Sequence, residues 1–270
     1  MICFPNAKIN LGLHVVGKRP DGYHNIETVF YPVPLADALE VVEADAFSFS
    51  QTGIPLDAPV EKNLVVKALK LLQGKYPIPP LEVHLLKAIP SGAGLGGGSS
   101  DAAFMLKLLN DFCQLGIAAE ALEGLAASLG ADCPFFIRNA PVFASGTGNI
   151  FEPVGLSLKG YSICIVKPEV FVSTPEAYSL VTPSPPQVSL KDVIRRPVAE
   201  WREAMTNDFE EPVFRKYPLV GEIKDALYAE GAVYASMSGS GSSVYGLFKG
   251  PVSLEGRFPG HFVWNGTIND

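Results

Sequence analysis

Apolar and polar residues alternate along Ala7 to Val16, with Ile9, Leu11, Leu13 and Val15 on one side, which predicts a strand. Pro20-Asp21-Gly22 supplies turn chemistry, so the chain should reverse there. Asn25 to Val33 alternates again and predicts a second strand. From Asn63 to Leu72 the apolar spacing turns helical, with Asn63 placed to cap the helix. Leu81 to Leu86 and Tyr161 to Val166 read as strands, and Asp101 to Leu109 as a largely apolar, buried helix. Further helices are predicted over Ala118 to Leu129, ended by Gly130, over Trp201 to Phe209, and over Leu219 to Glu230. Ala232 to Met237 and Val244 to Phe248 read as strands around a glycine-rich turn. The stretch from Pro183 to Pro197 is rich in Pro and Ser and predicts a loop with at most one short helix. Strands and helices mix without regular βαβα alternation, so the expected class is α+β. The 270 residues suit two domains, 1–155 and 156–270, with the boundary near Glu152 to Lys159.

The richest chemistry lies in Pro90-Ser91-Gly92-Ala93-Gly94-Leu95-Gly96-Gly97-Gly98-Ser99-Ser100-Asp101. This run follows a predicted strand and opens a predicted helix. Glycines let the backbone approach a ligand closely, and successive free N–H groups at a helix start suit phosphate oxygens. No Gly-Lys-Ser or Gly-Lys-Thr follows, which excludes a Walker A loop. The glycine spacing also departs from the dinucleotide fingerprint. Ser99 and Ser100 fit either a helix cap or a ligand contact. Asp132 stands alone in Gly-Ala-Asp-Cys-Pro-Phe-Phe, and Lys8 lies within the first apolar strand. A charge in such a setting needs a partner. The two fit an ion pair. Should they meet, they also fit phosphoryl transfer, in which a carboxylate takes a hydroxyl proton and a lysine keeps it ionised. Asn10 shares the strand face of Lys8.

The bulk numbers narrow the classes. The formal net charge of −7 disfavours a nucleic-acid binder, and no apolar run reaches the length of a membrane span. Cys3, Cys113, Cys133 and Cys164 show no disulfide or zinc spacing, and the N-terminus lacks a signal-peptide pattern. The expected location is the cytoplasm, with no protein-held metal.

Three blocks carry a family resemblance: Pro5 to Leu11, Pro90 to Ala103, and Met237 to Ser243. They resemble the superfamily of galactokinase, homoserine kinase, mevalonate kinase and phosphomevalonate kinase. Gly17-Lys18-Arg19-Pro20-Asp21-Gly22-Tyr23-His24-Asn25-Ile26-Glu27-Thr28-Val29 is similar to the branch of 4-diphosphocytidyl-2-C-methyl-D-erythritol kinases, supported by Gly130 to Phe136 and Asn207-Asp208-Phe209-Glu210. The resemblance implies a two-domain α+β kinase with its site in the interdomain cleft. It implies ATP, with Mg2+ carried by the nucleotide, and phosphorylation of the 2-hydroxyl of 4-diphosphocytidyl-2-C-methyl-D-erythritol, a small-molecule substrate. The implied catalytic pair is Lys8 and Asp132. Asn63, Lys87, Pro90, Gly92, Gly94, Gly96, Gly97, Gly98, Ser99 and Ser100 are implied to hold ATP. Asn10, Tyr23, His24, Tyr178, Gly239 and Ser240 are implied to hold substrate, with Tyr23 and Tyr178 flanking the cytosine.

Overall fold

A computed structural model describes residues 1–55 and 59–269. The strands are β1 (Ile2–Cys3), β2 (Asn6–Lys18), β3 (His24–Ala36), β4 (Ala38–Glu43), β5 (Ser48–Gly53), β6 (Leu81–Lys87), β7 (Val142–Ser145), β8 (Ile150–Pro153), β9 (Ser162–Lys167), β10 (Tyr234–Met237), β11 (Val244–Phe248) and β12 (Phe262–Thr267). The α-helices are α1 (Leu64–Gln73), α2 (Gly97–Phe112), α3 (Ala119–Ala127), α4 (Cys133–Arg138), α5 (Thr174–Ser179), α6 (Leu190–Val193), α7 (Trp201–Ala204), α8 (Glu210–Lys216) and α9 (Pro218–Ala229). The chain forms two compact units, each drawn from separate stretches. One comprises Met1–Ala7, Leu35–Ser91 and Gly96–Ala140; the other Lys8–Pro34, Gly92–Leu95 and Pro141–Asp270.

The first unit carries a sheet in the order β1-β4-β6-β5, antiparallel except for the parallel β5–β6 pair, whose connection contains α1. In β6 the strand period puts Leu81, Val83, Leu85 and Lys87 on the buried side, so a lysine is carried inward with three aliphatics. Asn63 caps α1 as its position predicts: its Oδ1 accepts from the Val65 N–H at 2.9 Å. Val65, Val66, Ala68, Leu69 and Leu72 form the buried stripe of α1, which packs on α2. A fully buried leucine of this kind contributes roughly 1.5–3 kcal/mol of transfer free energy.

The second unit has two four-stranded sheets, β2-β3-β7-β8 and β10-β11-β9-β12. The predicted reversal at Pro20 to Gly22 is a tight turn, with the Arg19 N–H donating to the Tyr23 carbonyl at 2.8 Å. α9 packs on β10 and β11, and Val220, Ile223 and Leu227 join Phe209, Val213, Ala235, Met237 and Val244 in one apolar cluster. Polar Asn10 and His14 on β2 are buried as well, so this strand has no solvent face.

Two expectations need correction, and one strand had no prediction. The helix predicted to start at Asp101 begins at Gly97, because the glycines are its first turn and not a preceding loop. The helix predicted over Trp201 to Phe209 stops at Ala204; beyond it, backbone groups of Thr206 and Asp208 bond to Leu13 on β2. Tertiary pairing there overrides local propensity. β5 is largely polar, Ser-Phe-Ser-Gln-Thr-Gly, and has no legible apolar pattern; its pairing with β6 makes it a strand.

Candidate active site

Two glycine-rich turns dominate the chemistry. The first runs from Pro90 into α2. Gly96 is the N-cap at φ 71°, and no side chain caps the helix, so neither Ser99 nor Ser100 acts as the cap. Among the described residues, no backbone carbonyl accepts from the N–H groups of Gly94 through Ser99. A sixteen-residue helix thus begins with a row of bare donors at its positive end. Gly94 has φ 76°, and a Cβ built there would lie 2.0 Å from the Ser238 carbonyl oxygen, so only glycine permits this approach. The Ser238 hydroxyl donates to the Gly94 carbonyl at 2.8 Å, and the Lys8 N–H donates to the Leu95 carbonyl at 2.9 Å.

Beneath the helix start lies a buried charge cluster. The Lys87 ammonium bonds Asp37 Oδ2 and, at 2.6 Å, Asp101 Oδ2. The other Asp37 oxygen accepts the N–H groups of Ala88 at 2.6 Å and Ile89 at 2.8 Å. Burial pushes the Asp101 carboxyl up to about 8; Lys87 pulls it down and Asp37 pushes it up again. Two carboxylates around one ammonium leave an excess negative charge, and retaining a proton relieves it. A Cβ on Gly97 would lie 3.4 Å from Lys87 Nζ, and one on Gly98 would lie 3.8 Å from Leu64 Cδ1. The structure therefore gathers Lys87, the Asn63-capped start of α1 and the first turn of α2. Lys87 spends its charge on carboxylates there. The acid Asp37 escaped the sequence reading, although Leu-Ala-Asp-Ala-Leu sets it alone among apolar neighbours, the same signal that singled out Asp132.

Asp132 belongs to the same unit and stands at the N-cap of α4, where its side chain makes no capping bond. A Cβ on Gly130 would lie 3.2 Å from Sγ of Cys133, the neighbour of Asp132, and 3.9 Å from Ser99 Oγ, which places this segment alongside the first turn of α2. Burial raises the Cys133 thiol to about 11, so it stays protonated at neutral pH and is not a nucleophile. The Ser100 hydroxyl is buried with no partner among the described residues.

The second turn, Ser238 to Ser243, joins β10 to β11 in the other unit. Ser238 N–H donates to the Ser243 carbonyl at 2.9 Å, and Gly241 N–H to the Ser238 carbonyl at 3.0 Å. The N–H groups of Gly239, Ser240 and Ser242 donate to no backbone carbonyl among the described residues. Asn10 flanks this turn. Its N–H donates to the Ser238 hydroxyl at 3.2 Å, and its carbonyl accepts from the Tyr245 hydroxyl at 2.8 Å. The buried Lys8 ammonium donates to Asn10 Oδ1 at 2.6 Å and lies 4.8 Å from the Phe30 ring centroid. Asn10 Nδ2 donates in turn to Thr28 Oγ1 at 3.0 Å. Lys8, Asn10, Gly239 and Gly94 are thereby brought together.

In the same unit the rings of His24 and Tyr178 stack, with centroids 4.8 Å apart and planes 16° apart, and Tyr178 meets Phe209 edge-on. Tyr23 beside them is 68% exposed. Ser240 Oγ is 3.3 Å from Thr174 Oγ1, at the start of the helix that carries Tyr178. The structure thus joins His24, Tyr178 and Ser240 into one surface.

Residues 63–140 match the model of the GHMP kinase N-terminal domain, and residues 189–255 match that of the GHMP kinase C-terminal domain. The fold agrees: a mevalonate kinase of Methanococcus jannaschii superposes with TM-score 0.71 at 15% identity, covering 100% of this chain and 98% of that one. This is an ATP-dependent small-molecule kinase fold with its glycine-rich loop in place. A 4-diphosphocytidyl-2-C-methyl-D-erythritol kinase of Parabacteroides distasonis is 66% identical over 271 residues, covering all of both chains. A crystal structure of 4-(cytidine 5'-diphospho)-2C-methyl-D-erythritol kinase matches with TM-score 0.86 at 33% identity, again covering 100% of each chain. The chain belongs to the 4-diphosphocytidyl-2-C-methyl-D-erythritol kinase family.

Proposed function

We propose that this enzyme transfers the γ-phosphate of ATP to the 2-hydroxyl of 4-diphosphocytidyl-2-C-methyl-D-erythritol, a step of the non-mevalonate route to isoprenoids. The observation that carries the reading is the row of bare amides from Gly94 to Ser99 at the start of α2. Those donors suit the ATP phosphates, which are charged, oxygen-rich and large enough to use several N–H groups at once. The substrate choice rests on the full-length likeness to kinases of that name.

Nucleotide-holding groups fall in the stretch 1–155: Asn63 and Lys87 flank or support the site, and Pro90 through Ser100 forms the cradle. Lys87 acts by fixing the helix start, since its charge is held by Asp37 and Asp101. The Gly239, Ser240 and Ser242 amides face the phosphates of the cytidyl substrate, and Asn10 holds a substrate hydroxyl. Tyr23 and the stacked His24–Tyr178 pair provide flat apolar surface for the cytosine. Asp132 accepts the proton of the attacking hydroxyl, and the Lys8 ammonium stabilises developing negative charge. Among the described residues, no group of three or more His, Cys, Asp or Glu side chains could hold a metal. The unpartnered Ser100 hydroxyl is a hard oxygen donor, suited to Mg2+ that arrives on its nucleotide. Bound there, the ion neutralises phosphate charge. Among the described residues, no helix is long and apolar enough to cross a membrane. The four cysteines are free, in keeping with a reducing cytoplasm.

The direct test follows ADP release from purified protein, ATP and Mg2+ with the cytidyl substrate, and with homoserine and mevalonate in parallel. Turnover confined to the cytidyl substrate is the expected result; turnover confined to either alternative overturns the assignment. Asp132→Asn should lower kcat by roughly 10²–10⁴-fold with nucleotide affinity retained. A near-normal kcat would remove Asp132 from the chemistry.

A further inference from the structure

Asn207-Asp208-Phe209-Glu210 has no part in the chemistry proposed above, yet three of its four side chains are committed to backbone. Asn207 is 4% exposed, and its Nδ2 donates to the carbonyls of Met237 and Gly239, each at 2.9 Å. Its Oδ1 accepts the Phe209 N–H at 3.0 Å, which fixes the amide orientation by giving each end a matching partner. Glu210 Oε1 accepts the Met237 N–H at 2.8 Å and the Ser236 hydroxyl at 3.0 Å, while Oε2 takes the Lys224 ammonium at 2.6 Å. Asp208 Oδ2 accepts the Val15 N–H at 2.7 Å, and the Leu13 and Asp208 backbones bond as a short bridge. One short segment therefore grips β2 on one side and the β10–β11 turn on the other.

The grip is placed with consequence. Asn207 holds the carbonyls on either side of Ser238, the residue that touches Asn10 and Gly94. With its carbonyls turned toward Asn207, the turn can aim its N–H groups the other way. Glycine at 239 and 241, both at positive φ, gives that turn little conformational stiffness of its own. We infer that Asn207, backed by Glu210, is a positioning residue that presents the Gly239, Ser240 and Ser242 amides to the phosphates of the cytidyl substrate. This rests on the reading that the second turn, not the first, meets that substrate.

The experiment measures both Michaelis constants in Asn207→Ala and Asn207→Asp, with Gly239→Ala as a reference for the turn itself. The aspartate keeps the Phe209 contact and replaces both donor bonds by repulsion against two carbonyls. Each Asn207 variant should raise KM for the cytidyl substrate about tenfold or more, with KM for ATP within about twofold, and Asn207→Asp should be the worse. A general loosening would move both constants together and would overturn the inference. If Gly239→Ala raises the cytidyl KM and the Asn207 variants do not, the positioning role is refuted and the turn assignment stands. If Gly239→Ala leaves that KM unchanged, the underlying assignment has failed. Should Asn207→Ala not fold, Asn207→Asp carries the same comparison; failure of both to fold makes Asn207 a folding residue and refutes the proposal.

Discussion

The two glycine-rich turns both present amide N–H groups that no backbone carbonyl takes up among the described residues, and they are anchored with opposite materials. The first turn ends in a helix whose base is a buried ion cluster, Lys87 between Asp37 and Asp101. The second is a hairpin held mainly by neutral hydrogen bonds from Asn207, with Glu210 gripping one flanking N–H. An ion cluster in low dielectric is strong only while complete, because losing one member strands the others. Neutral bonds are individually modest, on the order of 1 kcal/mol, and their loss costs position before it costs the fold. The difference implies that damage to the first anchor should appear in stability, and damage to the second in substrate affinity.

The largest effect should come from Lys87→Met. It leaves the Asp37 carboxylate and the Asp101 carboxyl group buried without their cation, a loss of about 3–5 kcal/mol. Denaturant unfolding checks this, and a loss below 1 kcal/mol would show that the cluster does not anchor the first turn. Next is Gly94→Ala, which attacks a place where the turns touch, beside the bond from the Ser243 N–H to the Ala93 carbonyl at 3.3 Å. Its Cβ would need the space of the Ser238 carbonyl, so one turn or both must shift. A displacement near 1 Å costs roughly 10²-fold in kcat/KM. Both Michaelis constants should rise, unlike the selective response to Asn207 variants; a change in one alone would show that the turns adjust independently.

How far these turns were legible depends on the range of the interactions. Gly92 to Gly98 and the Asn63 cap are local signals, so sequence reading located both the loop and the start of α1. The helix start was misplaced by four residues because glycine is a poor helix former. Here Gly97 serves close approach instead: a Cβ there would sit 2.8 Å from Ile89 Cγ2. Asp37 and Asp101 are separated by more than sixty positions, and nothing local says that both meet Lys87. Residues 205–209 read as helical by pattern, but Asn207 and Asp208 are taken up by strands far away in sequence.

The first anchor should also carry a pH dependence. Asp101 holds its proton in the folded state up to about pH 8 and releases it near pH 4 when unfolded. The folded state thus binds more protons between those values, and the contribution of Asp101 to stability is lost as pH rises from about 4 to about 8. Asp101→Asn removes this titration. The stability of wild type relative to that variant should fall over the same window and level off above it, as followed by thermal unfolding. A difference that stays flat with pH would mean that the cluster does not carry the extra proton.

The division of labour between the turns is tested most directly by millisecond hydrogen exchange on the wild-type enzyme. It would be read separately with a non-hydrolysable ATP analogue and with the cytidyl substrate. The nucleotide analogue should slow exchange at Gly94 to Ser99 and leave Gly239, Ser240 and Ser242 unprotected, while the cytidyl substrate does the reverse. Protection of both turns by the nucleotide alone, or of neither, would contradict the account.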